Sequence, residues 1–184
     1  MVDNQEEIIK IKILALGLYG VGRRSIINRF LENKYEENHK LSQYMSKNII
    51  LKNNQQIKVD FYIHNRGEKF YQLRPLKILL KNIQGFILAY SIDSKYSFES
   101  LSEAIEWIQI IDIDYKKIPT ILIGNQLDKN ENREVPTEEA QSFANNNGFF
   151  AFYETSAKEN INVNESLNAL IEKICEENAF FPAK

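Results

Sequence analysis

An α/β fold is predicted, with a mainly parallel six-stranded sheet, one antiparallel edge strand and helices on both faces. Three observations carry it. Apolar runs of strand length at residues 8–16, 85–90 and 119–124 alternate with segments of helical period. The second and third of those runs are apolar almost throughout, as strands buried on both faces are. Two short strand-like segments flank Asn53-Asn54, a turn pair that tolerates positive φ, and mark an antiparallel hairpin.

In chain order, Ile9, Ile11 and Ile13 alternate with Lys10 and Lys12 before Leu14-Ala15-Leu16 runs on, so the first strand enters the sheet interior. Ile26, Ile27, Phe30 and Leu31 recur at helical spacing and predict a helix over about 22–32. Residues 32–47 are polar without a period and read as a long connection, a length usually reserved for function. Residues 48–52 and 56–63 form the hairpin, with Ile57, Val59, Phe61 and Ile63 on its buried face. A short helix is expected over 73–83, its start limited by Pro75.

After the strand at 85–90, a helix beginning near Ser97 carries Leu101, Ile105, Trp107 and Ile108. Residues 125–135 read as a charged loop. The next helix starts at Pro136, with Thr137 as N-cap and Glu138 and Glu139 in the first turn, and Gly148 ends it. Residues 149–154 are the last strand. Val163, Leu167, Leu170, Ile171, Ile174 and Cys175 make one apolar stripe on a closing helix.

The 184 residues suit a single domain, 1–184, with 43% hydrophobic and 26% charged residues. A formal charge of −2 and a pI near 5.8 argue against nucleic acid as a partner. The polar, acidic first seven residues are no secretory leader, and the apolar runs are too short to span a bilayer. One cysteine suits a reducing compartment, so the expected location is cytoplasmic, or the cytosolic face of a membrane. Cys175 is expected to be a buried thiol, Trp107 to be core, and His39 and His64 to be solvent-exposed in polar loops.

Gly17-Leu18-Tyr19-Gly20-Val21-Gly22-Arg23-Arg24-Ser25 follows the first strand and opens the first helix. Such a turn aims successive backbone N–H groups at an anion, and the helix N-terminus adds its dipole. Gly17, Gly20, Val21 and Gly22, with Arg23, Arg24 and Ser25, are therefore the candidate phosphate-binding residues. Gly17 and Gly22 fit the first six positions of G-x-x-x-x-G-K-[ST]; Arg23 and Arg24 stand where lysine and a hydroxyl are required.

Two further strand ends carry distinctive residues: Asn125-Gln126-Leu127-Asp128, and Glu154-Thr155-Ser156-Ala157-Lys158. Together with the glycine turn they resemble the motifs of the Ras-superfamily small GTPases, most closely the Rab branch. The resemblance extends over nearly the whole chain, through Arg29-Phe30, Ser42, Glu68-Lys69-Phe70, Ser97-Phe98, Arg133-Glu134-Val135 and Asn162-Val163. It implies a small G-domain that binds GTP and GDP. A carboxylate at Asp128 accepts from both N1–H and N2–H₂ of guanine, an edge that adenine does not present. The resemblance further implies that Asn125 tethers neighbouring loops, that the Ala157 N–H meets the guanine O6, that Ser156 and Lys158 support that loop, and that Tyr35 packs on the base.

The chain departs from the family on the phosphate side. Arg24 cannot ligate Mg²⁺, and the Ser25 hydroxyl is turned about 100° around the helix. Ser42 is left as a candidate Mg²⁺ ligand. The family's Asp-Thr-Ala-Gly-Gln is represented by Ile63-His64-Asn65-Arg66-Gly67, without the aspartate or the water-orienting glutamine. Arg23 and Arg24 either substitute for the charge of Mg²⁺, with nucleotide bound independently of metal, or simply block the site.

The expectation is a nucleotide-dependent switch in vesicle trafficking with weak or absent hydrolysis. The alternative is a pseudo-GTPase kept as an interaction scaffold. Effectors and regulators would read switch loops 40–46 and 67–80. Cys175 lies too far from the C-terminus to be a prenylation signal, so membrane association is expected only through a lipidated tail beyond residue 184.

Overall fold

The computed structural model describes residues 8–36, 42–51, 54–64, 82–110 and 115–178. Strand β1 (Ile9–Leu16) leads through the glycine turn into α1 (Arg23–Glu32). The hairpin β2 (Tyr44–Ile50) and β3 (Gln56–Ile63) follows. Next come β4 (Gly85–Ser91), a short α2 (Lys95–Glu99), α3 (Leu101–Ile110) and β5 (Thr120–Asn125). A 3₁₀ segment (Leu127–Asn132), α4 (Thr137–Asn146), β6 (Ala151–Glu154) and α5 (Val163–Glu177) complete the order.

The six strands form one sheet in the order β2-β3-β1-β4-β5-β6. Only the β2–β3 pairing is antiparallel. The pleat sends alternate side chains to opposite faces and so divides the core in two. Ile11, Ile13 and Ala15 of β1 join α1 and α5 through Ile26, Ile27, Leu167 and Leu170. Leu14 and Leu16 join α3 and α4 through Leu101, Ile108, Ala140 and Ala144. Each fully buried Leu or Ile contributes roughly 1.5–3 kcal/mol of transfer free energy, which makes the two layers the main source of cohesion. The fold class is as the pattern predicted, and Trp107 and Cys175 are buried as expected.

Several boundaries differ, each for a reason that lies outside the local sequence. Strand β2 begins at Tyr44, inside the stretch read as connection, because an edge strand needs no apolar alternation. It is held instead by the ladder and by the hydroxyls of Tyr44 and Ser46, which donate to the buried carboxylate of Asp60 at 2.9 and 2.7 Å. The helix expected near Ser97 starts two residues earlier. The Ser94 side chain caps it by accepting from the Ser97 N–H at 3.2 Å. Thr137 is not the N-cap of α4: Pro136 holds that position without a side-chain cap. The Thr137 hydroxyl instead donates to Glu154, a carboxylate gripped by Arg133. The last strand starts at Ala151, two residues late. The expected helix over 73–83 lies mostly outside the described residues, though Ile83 is buried.

Because β1, β4, β5 and β6 run in parallel, their carboxyl ends lie along one edge. The loops after β1, β5 and β6 meet there, the usual place for a ligand in such sheets.

Candidate functional site

The glycine turn is built for close approach. Gly17 and Gly22 have φ of 141° and 89°, and both are sterically committed. A Cβ on Gly17 would sit 2.2 Å from the Ala89 carbonyl oxygen, and one on Gly22 would sit 2.2 Å from Asn125 Nδ2. Gly22 is the N-cap of α1, whose first turn has no acidic residue. The positive end of a ten-residue helix is thus left for an anion.

Arg23 and Arg24 point in different directions. Arg23 is 5% exposed. Its Nη2 donates to the Leu18 carbonyl at 3.2 Å, and its Nη1 donates to the His64 carbonyl, with Ala15 O at 3.5 Å. Burial, and then the charge of Arg24, pull its pKa down to about 10, so it stays cationic at neutral pH. Arg24 is half-buried in the same turn. Its Nε donates to the Ser42 carbonyl at 3.0 Å. The Ser42 hydroxyl is engaged by its own strand, donating to Tyr44 O at 2.5 Å and accepting from Tyr44 N at 3.3 Å.

The base side forms a cleft of about 210 Å³ lined by Gly20, Gly22, Ser25, Tyr35, Asn125 and Asp128, with Gln126, Lys129, Ala157 and Lys158. Asn125 is 2% exposed and ties three segments. Its Nδ2 donates to Val21 O at 2.9 Å, and its Oδ1 accepts from Thr155 Oγ1 at 3.0 Å and from Ala157 N at 3.3 Å. Asp128 is exposed. One of its oxygens accepts from the buried Ser156 hydroxyl at 2.6 Å, which aims the carboxylate. The Ser156 oxygen in turn accepts from Glu159 N at 3.0 Å. Tyr35 is half-buried against the core, and Lys158 is exposed at the rim.

Of the predicted positions, Gly20, Gly22, Ser25, Tyr35, Asn125, Asp128, Ala157 and Lys158 line this one cleft, Ser156 joins it through Asp128, and Gly17 packs on Ala89 instead. Ser42 meets the glycine turn through the bond from Arg24. Of the expected switch loops, residues 40–41 of 40–46 and all of 67–80 lie outside the described residues, as does His39, while residues 44–46 belong to β2. His64 is not solvent-exposed as its polar surroundings implied. It is half-buried, and its ring stacks on Trp107 with centroids 5.1 Å apart and planes 5° apart. Pairing of Ala15 with Ile63 in the β1–β3 register places its backbone beside the end of β1, where the glycine turn begins.

Three contributions escaped sequence reasoning. Gln126 adopts φ +68° and donates from Nε2 to Gly20 O at 2.9 Å, so a neutral amide ties the loop after β5 to the glycine turn. Lys129 lines the cleft and pairs with Asp93 at 2.8 Å. Burial pushes the Asp93 carboxyl up, but hydrogen bonds from Lys129 and Ser91 outweigh it and hold the pKa low. Arg29, on α1, donates to Ala157 O at 2.9 Å, Lys158 O at 3.0 Å and Asn33 O at 2.9 Å. The sequence marks it as half of the Arg29-Phe30 match and as a basic residue in the last turn of a helix, and neither signal names these carbonyl partners.

Comparison with known proteins agrees with this geometry. The Ras family profile matches residues 12–176. The chain is 31% identical over 179 residues to Ras-related protein Rab-5A of Dictyostelium discoideum, covering 94% of this chain and 85% of that one. It is 29% identical over 169 residues to human Ras-related protein Rab-9B, covering 89% and 82%. Rat Rab-9A is 30% identical over 168 residues, with the same coverage of 89% and 82%. A glycine turn on a helix N-terminus, a strand-end Asn-x-x-Asp and a Ser-Ala-Lys loop around one cleft, in a chain matched by that profile almost from end to end, have one source: the protein belongs to the Ras family of small GTPases, close to its Rab members.

Proposed function

We propose that this chain is a Rab-like guanine-nucleotide-binding protein of vesicle trafficking, one G domain over residues 1–184, acting on the cytosolic side of endomembranes with slow or absent hydrolysis. The observation that carries the reading is Asp128: a surface carboxylate aimed by Ser156 over a cleft that ends at the glycine turn. The exposed carboxylate would accept from the N1–H and N2–H₂ of guanine. The Ala157 N–H, spent at the long distance of 3.3 Å on Asn125, is available to the guanine O6. Tyr35 covers the base, Asn125 and Gln126 hold the two loops in register, and the N–H groups of residues 20–25 receive the phosphates. Lys158 shields the rim.

Hydrolysis is the weak part of the machinery. Phosphoryl transfer depends on positioning and charge stabilisation, and Ile63-His64-Asn65-Arg66-Gly67, which stands for the family's Asp-Thr-Ala-Gly-Gln, contains no glutamine to orient water. Partners read the segments 40–46 and 67–80. The commitment of Arg23 and Arg24 to backbone carbonyls favours one second reading, a nucleotide-free scaffold.

Titration of fluorescent GDP and GTP into the purified chain, with ATP as competitor, separates these. Guanine nucleotide binds and ATP does not compete. Asp128→Asn weakens GDP by at least about tenfold, since a hydrogen bond to a charged group is worth ~1.5–3 kcal/mol. Single-turnover hydrolysis runs below ~10⁻⁴ s⁻¹. Absence of binding in every condition leaves the scaffold.

A further inference from the structure

Small GTPases bind their nucleotide with Mg²⁺, and this site does not fit that ion. Mg²⁺ demands near-octahedral oxygen coordination. Position 24 brings a guanidinium, Ile63 is apolar and 4% exposed, and the Ser42 hydroxyl is spent on the Tyr44 backbone. Among the described residues, no group of three or more His, Cys, Asp or Glu side chains could hold a metal.

What occupies the position is Arg24. It sits in the first turn of α1 and reaches the start of β2, with Nε 3.0 Å from the Ser42 carbonyl. Its Nη2 is buried and has no hydrogen-bond partner among the described residues. Arg23, its neighbour, is turned inward onto Leu18 and His64. A divalent ion placed here would face a guanidinium at short range in a partly buried setting, where like-charge repulsion is strong.

We propose that Arg24 replaces the divalent cation: the site takes a guanosine di- or triphosphate without metal, and the segment from Ser42 onward is held to the phosphate-binding helix by Arg24 rather than by an ion bridging it to the nucleotide. This rests on the guanine-nucleotide reading above. The arrangement has two consequences. The turn carries two cations, Arg23 with its pKa lowered to about 10 partly by Arg24, so a bound polyanion relieves repulsion that the free protein bears. And the Ser42–Tyr44 segment keeps its place whether or not a third phosphate is present, which detaches this part of the switch from the nucleotide cycle.

The test is the affinity of the full chain for methylanthraniloyl-GDP in excess Mg²⁺ and in EDTA, with hydrogen exchange over residues 42–50. For the unaltered chain the two affinities agree within about twofold. Exchange over 42–50 is the same with GDP and with a non-hydrolysable GTP analogue, in either buffer. Arg24→Ser loses at least about tenfold of the metal-free affinity, the equivalent of ~1.4 kcal/mol, and exchanges faster over 42–50.

A fall of more than about threefold in EDTA for the unaltered chain overturns the proposal. So does protection of 42–50 that appears only with Mg²⁺ or the third phosphate, or an Arg24→Ser protein indistinguishable from its parent. Arg24→Lys, which keeps the charge and loses the guanidinium fork, serves with the same exchange expectation if Arg24→Ser does not fold. If no nucleotide binds in any buffer, the guanine reading is what has failed. Exchange in the nucleotide-free proteins still decides whether Arg24 holds Ser42.

Discussion

Arg29 spends its N–H groups on three backbone carbonyls, two of them in the Ala157-Lys158 loop 128 and 129 positions away in sequence. A guanidinium suits this work because its planar fork satisfies several acceptors at fixed angles, which an ammonium does not. The third carbonyl belongs to Asn33, the left-handed C-cap of α1, from which the chain continues to Tyr35. One side chain thus joins the loop expected to meet the guanine O6 to the turn that carries Tyr35, the tyrosine proposed to cover the base. Arg29→Ala should speed GDP release by about tenfold or more, given ~1.5–3 kcal/mol for a charge-assisted bond. It should also narrow the preference for GDP over the 6-thioguanosine diphosphate, which keeps N1–H and N2–H₂ but replaces O6 with a weakly accepting sulfur. The preference over the inosine diphosphate, which reports Asp128 through N2–H₂, should survive. Stopped-flow release with the three nucleotides checks this; equal losses on all three would reduce Arg29 to a packing role.

The same scale shows what local sequence can and cannot convey. Asn125, Asp128 and the Ser156-Ala157-Lys158 run could be picked out as a group because each follows a strand, and the structure sets them at or beside one cleft. The directions of Arg23 and Arg24 were not legible. They depend on the Leu18, His64 and Ser42 carbonyls, and only the β1–β3 register and the start of β2 bring the last two within reach. Thr137 misled for a similar reason: its partners Arg133 and Glu154 flank α4 from separate elements.

At the scale of elements, long buried segments declared themselves and edges did not. The apolar stripe of α5 gave its extent closely, since every turn must present a residue to the sheet. Strand β2 pairs only with β3 among the described strands and is half in solvent, so its first four residues carried no pattern to read. Cys175 belongs to the α5 stripe. Burial first, then Glu172 and Glu176, raise its thiol pKa from 9.0 to about 11. The folded state therefore binds this proton more tightly than the unfolded chain does. The resulting stability is complete below pH 9 and erodes as pH rises toward 11. Urea unfolding between pH 8 and 10.5 should show a steeper decline for the unaltered chain than for Cys175→Ala. Parallel curves would mean that the thiol does not titrate differently on unfolding.

For the molecule as a whole, the parallel sheet sets the functional geography: three loops that are far apart in sequence converge because their strands end on the same side. Two of them carry the residues proposed to meet guanine, and the third carries the glycine turn proposed to meet the phosphates, where Arg23 and Arg24 donate to backbone carbonyls. The account stands on the claim that guanine nucleotide occupies the cleft those loops enclose. An amide NMR titration with GDP, and with ATP in parallel, tests it directly. Shifts confined to the amides of Gly20, Gly22, Asn125, Ala157 and Lys158, saturating with GDP and absent with ATP, are the predicted result. An unchanged spectrum with GDP, or the same shifts with ATP, would contradict it.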